Sequence, residues 1–406
     1  MGIGTAIRKL VDIKTKQAVA VWEFNTTDKL IAPPATYKNT IIVGTRKGRV
    51  MQLNNKGEII WTFHPHENVS SQEALFLDED NVYGINDEPL IFSNENQEHI
   101  LVVSEFGILY CLSNEGKLEW KVETDGPLRA SPKISMFSAK SERIFLGSHD
   151  GFVYIVTLEG KVEHKFEVGT PIETRPVITG EQIIVGTAKG EVVSLDREGR
   201  ISWRFKTGDK IVAHMTIAEL RSGQGLTLLV GSQDKQLYAL SLDGEPQWTF
   251  QTEGTILAQP IAFDINNDGH KEILLASCDN RIYCLTAFGE EIWSYETDFW
   301  ITTAPLVADI DGDGTIEVVV GSLDSKVYVF DGQGSYKLDY IPGLGGIVHQ
   351  TGHYSGNMNK DVGKNQGKLL CEFQTDNDVV GCTYLKSSKT IIAGTKKGKI
   401  YNIKVN

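Results

Sequence analysis

The chain lacks most of what announces a reaction. It has no G-x-S-x-G elbow, no HExxH pair and no phosphate loop of the form GxxxxGK[ST], so no nucleophile or nucleotide signature can be read from it. Cysteine is scarce. Cys111, Cys278, Cys284, Cys371 and Cys382 follow no CxxC spacing and are too few for a disulfide scaffold, so they are expected to be reduced and packed as small apolar side chains. Positive charge is short as well. With 40 Lys and Arg against 53 Asp and Glu the net charge is −13, and no basic stripe exists to displace counterions from a phosphate backbone. No apolar run approaches the ~20 residues of a membrane-spanning helix, and MGIGTAIRKLVDIKT has no apolar signal core. No nucleic-acid partner and no membrane span are therefore expected, and a cytoplasmic location is favoured.

What the chain has is a repeat. Between Gln259 and Phe330 the unit occurs twice, as QPIAFDINNDGHKEILLASCDNRIYCL and APLVADIDGDGTIEVVVGSLDSKVYVF. Pro260 answers to Pro305, Asp264 to Asp309, Gly269 to Gly314, Glu272 to Glu317 and Tyr283 to Tyr328, each pair 45 residues apart. A fixed period of that size marks a repeat architecture, in which one small sheet cannot bury its faces alone.

The full template is an apolar strand, Gly-Thr/Ser-x-x-Gly, an alternating strand with Tyr or Val and Leu, x-x-Gly, then Trp-x-Phe. It starts at Ile41, Ile100, Ile144, Ile183, Leu228, Ile273, Val318 and Ile391, with His164 in place of one Trp and Cys371 and Phe373 at another Trp-x-Phe step. A further strand with a small-residue centre precedes six of the copies, near Ala32, Ala130, Thr174, Ala213, Ala258 and Thr303. Each unit is thus a four-stranded antiparallel meander, with small residues at the crowded inner end and a Trp wedging the outer strand against its neighbour. The last copy stops before its Trp-x-Phe step, and a half-repeat at the start supplies one in Trp22 and Phe24.

The expected fold is all-β: a single eight-bladed β-propeller over residues 1–406, its two ends completing one blade, or seven blades if a degenerate unit forms no sheet. Residues 64–99 and 341–366 break the pattern and read as insertions or degenerate segments, either a binding surface or plain surface loops.

The strongest chemical signal is a pair of acidic loops. DINNDGHKE places Asp264, Asn266, Asp268 and Glu272 at positions one, three, five and nine, and DIDGDGTIE places Asp309, Asp311, Asp313 and Glu317 there, each with glycine at six. Alternating oxygen ligands on a tight loop converge on one point, as Ca²⁺ requires, and the carbonyls of His270 and Thr315 are natural seventh-position ligands. Asn266 leaves the first loop one charge short, so weaker binding is expected there. A cation at these hairpins is expected to brace carboxylates that otherwise repel. His349 and His353 stand four apart in a Gly-rich stretch and point to no metal site. On the small-centred strands the next residue varies as Ser131, Arg175, His214 and Gln259, a candidate polar lining for the central channel in which Arg175, His214 and Gln259 are the ligand-binding positions.

The blade pattern resembles the pyrroloquinoline-quinone-like repeat family, which includes quinoprotein dehydrogenases and the propeller lipoprotein of the outer-membrane assembly machinery. The acidic loops look like the FG-GAP calcium-binding repeats of integrin-like propellers, matched at Asp264, Asn266, Asp268, Glu272, Asp309, Asp311, Asp313 and Glu317. The first resemblance implies a scaffold. Quinoprotein dehydrogenases carry adjacent cysteines beside the cofactor and none are adjacent here, so no quinone is expected; the lipoprotein member carries a lipid-bearing cysteine near its start, whereas the first cysteine here is Cys111. The expected function is a monomeric, non-enzymatic, calcium-stabilised platform for a protein or glycan partner on one face. The alternatives are a quinoprotein-type oxidoreductase, a polysaccharide lyase, or a sensor or adhesion domain of a larger protein.

Overall fold

Period-2 alternation of β-branched and aromatic residues makes each quarter of the repeat a strand, and a left-handed glycine closes the turn into the outermost strand. Gly116 and Gly289 sit in that turn at φ +77° and +79°. The computed structural model describes residues 16–65, 84–138, 141–334 and 366–406. Within them lie eight four-stranded antiparallel sheets, as the repeat predicts.

Blade six runs Ile261–Phe263, Glu272–Ala276, Arg281–Leu285 and Glu291–Glu296, from the inside outward. Blade seven follows with Leu306–Ala308, Glu317–Gly321, Lys326–Asp331 and Lys368–Gln374. In its outer strand Cys371 pairs with Val329 and Phe373 with Val327, the places predicted for a Trp-x-Phe step. Blade eight takes Val379–Leu385, Thr390–Thr395 and Lys399–Val405 from the end of the chain and Ala18–Asn25 from its beginning. Phe24 pairs with Ile400 and Ala18 with Val405, so the ends close the ring as expected.

The core lies between blades. An apolar cluster fills each of the eight junctions. That includes the junction of last with first, where Leu385, Ile392 and Ile400 meet Leu30, Ile41, Val43 and Leu53 beneath Trp22 and Phe24. The Trp wedge is also as predicted. Trp22 donates its Nε1–H to the Asn55 carbonyl of the next blade at 2.8 Å, and Trp61 does the same to Asn114 at 2.9 Å. A Cβ on Gly116 would come within 2.4 Å of the Trp61 ring, so only glycine lets the indole lie on that turn. Where His164 replaces Trp, Phe166 covers Gly199 instead.

The outer strands share one further feature. In every blade the pairing of third and fourth strands slips by one residue just before the Trp position, at Val21, Ile60, Glu119, Glu163, Ser202, Gln247, Ile292 and Leu370. A bulge re-aims the next side chain and roughens an exposed edge against further pairing.

Of the two irregular segments, residues 84–99 contribute Leu90–Asn94 and the start of Gln97–Val103, the inner pair of blade two. Residues 66–83 and 341–365, with His349 and His353, lie outside the described residues.

Candidate functional site

Each inner strand runs between the two faces of the wheel. In blade six it leaves Gln259 at the central cavity and ends at Asp264 in the acidic loop, so cavity and loops lie on opposite faces.

In the first loop the Asp264 carboxylate accepts the N–H groups of Asp268 at 3.1 Å and Gly269 at 3.0 Å, and Asp268 accepts that of His270 at 2.8 Å. Glu272 is buried and accepts the N–H of Ile265 at 2.9 Å. Burial pushes its carboxyl up, and Asp268 and Asp264 push the same way. The Asn266 amide donates to Asp268 at 3.0 Å and Glu272 at 3.3 Å.

The second loop repeats this frame. Asp309 accepts from Gly312 and Gly314, Asp313 accepts the Thr315 N–H and hydroxyl, and Glu317 accepts the Ile310 N–H at 2.8 Å. The Thr315 contacts hold the Asp313 carboxyl down at about 2, while burial pushes that of Glu317 up. One carboxylate oxygen each from Asp309, Asp311 and Glu317 lies within 4.8 Å of the others.

A cation already sits there. The Lys16 ammonium pairs with Asp311 and lies 3.3 Å from Asp313 and 3.5 Å from Glu317. Burial alone would lower its pKa, but these carboxylates, Asp311 foremost, hold it well above the ordinary lysine value. Lys16 lies two residues before the strand that closes blade eight, so the loop of blade seven grips the ring's closing segment.

The central cavity has a volume of about 520 Å³ and is lined by residues from all eight blades. The predicted residues Arg175, His214 and Gln259 all reach it. Arg175 and His214 are joined, the Arg175 N–H donating to His214 Nδ1 at 3.2 Å, which leaves Nε2 to carry the proton toward Asp87 at 2.8 Å. Gln259 instead donates to Thr216 at 3.0 Å. Ser131 donates its N–H and hydroxyl to Asp87 at 2.6 and 2.7 Å, and the Arg175 guanidinium stands 3.6 Å away. Burial, the largest influence, would raise the Asp87 carboxyl; His214, Arg175 and Ser131 together overcome it and hold it well below the usual range.

Asp87 and its neighbour Glu88 were missed by sequence reasoning, and a signal for them exists. Ile256-Leu-Ala-Gln-Pro260, Ile301-Thr-Thr-Ala-Pro305 and Ile172-Glu-Thr-Arg-Pro176 share one frame, and Ile85-Asn-Asp-Glu-Pro89 fits it with Asp87 in the small-residue slot.

A second cluster, His99, Cys111 and Glu119, brings three metal-ligand types together. Burial, then Glu119, pushes the Cys111 thiol far up, which opposes the thiolate a metal would need. The five cysteines are free, Cys111 and Cys284 fully buried, as expected of small apolar side chains.

Two stretches match known families. Residues 91–197 match the family described as outer membrane protein assembly factor BamB, and residues 239–342, which include both acidic loops, match the λ-carrageenase β-propeller domain. These matches support PQQ-like propeller repeats in this chain. A search of curated proteins finds no match. Among solved structures, BamB from Moraxella catarrhalis aligns at 14% identity and TM-score 0.65, over 96% of this chain and all of its own. The computationally designed Ika8 protein aligns at 13% identity and TM-score 0.65, over 93% of this chain and 96% of its own. At such identities the likeness is one of fold. A natural protein and a designed one share it equally, so the wheel alone chooses no activity.

Proposed function

We propose that the chain is a non-enzymatic interaction scaffold, a β-propeller braced by Ca²⁺ at its acidic loops and docking a partner on the face that holds the central cavity. The observation that carries the calcium reading is the second loop. Its carboxylate oxygens converge from Asp309, Asp311 and Glu317, and the ammonium of Lys16 is drawn into the same place, marking it as a point that demands positive charge. Asp309, Asp311, Asp313, Thr315 through its carbonyl and Glu317 are the ligands there; Asp264, Asn266, Asp268, His270 and Glu272 are the set in the first loop. The first loop binds more weakly because Asn266 supplies no charge, and Asn266 must turn its oxygen inward.

The docking reading rests on the cavity face. Phe299 and Trp300 are exposed there, stacked at 5.3 Å with 13° between their planes. Exposed stacked aromatics on a rigid loop suit the anchor of an interface. The likeness to a protein named as an assembly factor supports a protein partner. With a net charge of −13, a partner surface rich in Lys and Arg is favoured. A glycan partner is the second reading, supported by the match to a propeller domain named for λ-carrageenase.

Calorimetric titration tests the calcium claim. Two binding events are expected, the tighter lost in Asp309→Ala and the weaker in Asp264→Ala. Absence of heat from either loop defeats it. Retention of a partner by the wild type but not by Trp300→Ala tests the docking face.

A further inference from the structure

The walls of the central cavity differ on its two sides. Residues 86–214 contribute Asn86, Asp87, Glu88, Glu105, Arg129, Glu173, Arg175 and His214, whereas the rest of the ring contributes mainly Leu257, Ala258, Leu323, Val380, Ile31 and Pro33. One half carries the charges; the other is uncharged and largely aliphatic, with Gln259, Thr302 and Thr303 as its polar members. Among the described residues no Phe, Tyr or Trp lines the cavity.

Most charges on the polar side are answered. Asp87 is held by His214, Ser131 and Arg175, as described, and Arg129 bridges Glu105 at 2.9 Å and Glu173 at 3.7 Å, with His149 also beside Glu173. Two groups are left over. The Glu88 carboxylate accepts no hydrogen bond from any described residue, although Glu88 lines both the main cavity and a side cavity of about 220 Å³. Arg175 lines the same two cavities with a partly exposed guanidinium, and its Nε is buried and donates to nothing among the described residues. A buried donor without a partner is uncommon and costly, and beside it the partly buried Glu88 carboxylate has room to accept.

We propose that this cavity binds an α-ammonium group together with its adjoining carbonyl or carboxylate oxygen and an aliphatic side chain, as presented by a branched-chain amino acid or by the N-terminus of a peptide that begins with one. The ammonium donates to Glu88, the neighbouring oxygen accepts from the exposed end of the Arg175 guanidinium, and the side chain lies against Leu257, Leu323 and Val380. This site is on the cavity face, independent of the calcium loops, and it gives the docking face a specific occupant.

The pH dependence follows from the wall. Burial pushes the Glu88 carboxyl up to about 7, with Arg175 opposing and Asp87 reinforcing that rise. The other titratable groups facing the space are Glu105, Arg129, Glu173 and His214. An ammonium ligand needs Glu88 ionised, so affinity falls roughly eightfold from pH 7.5 to pH 6, the ratio of ionised fractions for a group titrating near 7.

Calorimetry with leucine, leucyl-alanyl-alanine and N-acetyl-leucine tests this on the wild-type protein. Leucine or the tripeptide should bind at pH 7.5 and weaken at pH 6, and N-acetyl-leucine, which has no ammonium, should not compete. Binding of leucine alone identifies a free amino acid, and tighter binding of the tripeptide a partner's N-terminus. Glu88→Gln, checked by thermal melting, should lose at least tenfold in affinity and its pH dependence. Equal binding of N-acetyl-leucine, no binding by any of the three, or an unchanged Glu88→Gln variant overturns the proposal. The calcium titration is a separate readout, so failure of one reading is distinguishable from failure of the other.

Discussion

Removing Lys16 separates its role as an internal cation from the role proposed for calcium. The Lys16 side chain is 22% exposed, Asp313 is 48% exposed and Glu317 only 1%. An exposed pair contributes about 0–1 kcal/mol, whereas a charge-assisted contact to the buried Glu317 carboxylate, which keeps its bonds from Ile310 and Thr315, contributes about 1.5–3 kcal/mol. Lys16→Ala should therefore cost about 2 kcal/mol in the presence of a chelator, which for a chain of this length lowers Tm by about 2–3 °C. Calcium reverses the sign of the comparison. In the wild type the ion must first expel the ammonium, whereas in the variant the loop stands open, and saturation at 100 times Kd returns about 2.7 kcal/mol. Scanning calorimetry should show a calcium-induced rise in Tm that is larger for Lys16→Ala than for wild type by about 2–3 °C. Equal increments, or a variant unaffected by chelator, refute the reasoning that Lys16 and calcium compete for one site.

Three further outcomes are expected. Gly116→Ala must take up a left-handed backbone and push into the Trp61 ring, and should cost about 3 kcal/mol, whereas Gly269→Ala, at φ +85° with nothing within 4 Å, should cost about 1 kcal/mol; denaturant unfolding of the pair checks the wedge. Glu88 has a folded pKa near 7 against an ordinary 4.5, so the folded state holds its proton and stability declines as pH rises from 4.5 to 7; Glu88→Gln should be more stable than wild type at pH 8 and indistinguishable at pH 4, by thermal melting. The Asp87 carboxyl is depressed, so its contribution is present above the ordinary carboxylate pKa and is lost as pH falls toward its folded value; the gap between wild type and Asp87→Asn should close in strong acid.

The blades were legible because each carries its own punctuation: Gly-Thr/Ser before one turn, glycine before the next, Trp on the edge. Ring closure was legible from a missing Trp-x-Phe at one end and a spare Trp22 and Phe24 at the other. The acidic loops were legible because their oxygen-bearing residues lie within one short stretch of sequence. Lys16 was not, since it meets Asp313 across 297 residues and no pattern in one segment announces a charge in another. The bulge was hidden because the slipped residue has no consistent chemistry, being valine, glutamate, serine or glutamine in different blades. Asp87 and Glu88 were obscured by an irregular stretch that conceals the frame running from Ile85 to Pro89.

Everything on both faces depends on the first strand sealing the last blade. Hydrogen exchange at the amides of Ala18–Asn25 tests this directly, because their ladder partners lie in Lys399–Val405. The ladder amides of the two strands should exchange together, slowly, and at the rate of global unfolding. Exchange of the first strand at the rate of a free terminus, with the last strand still protected, would contradict the closed wheel.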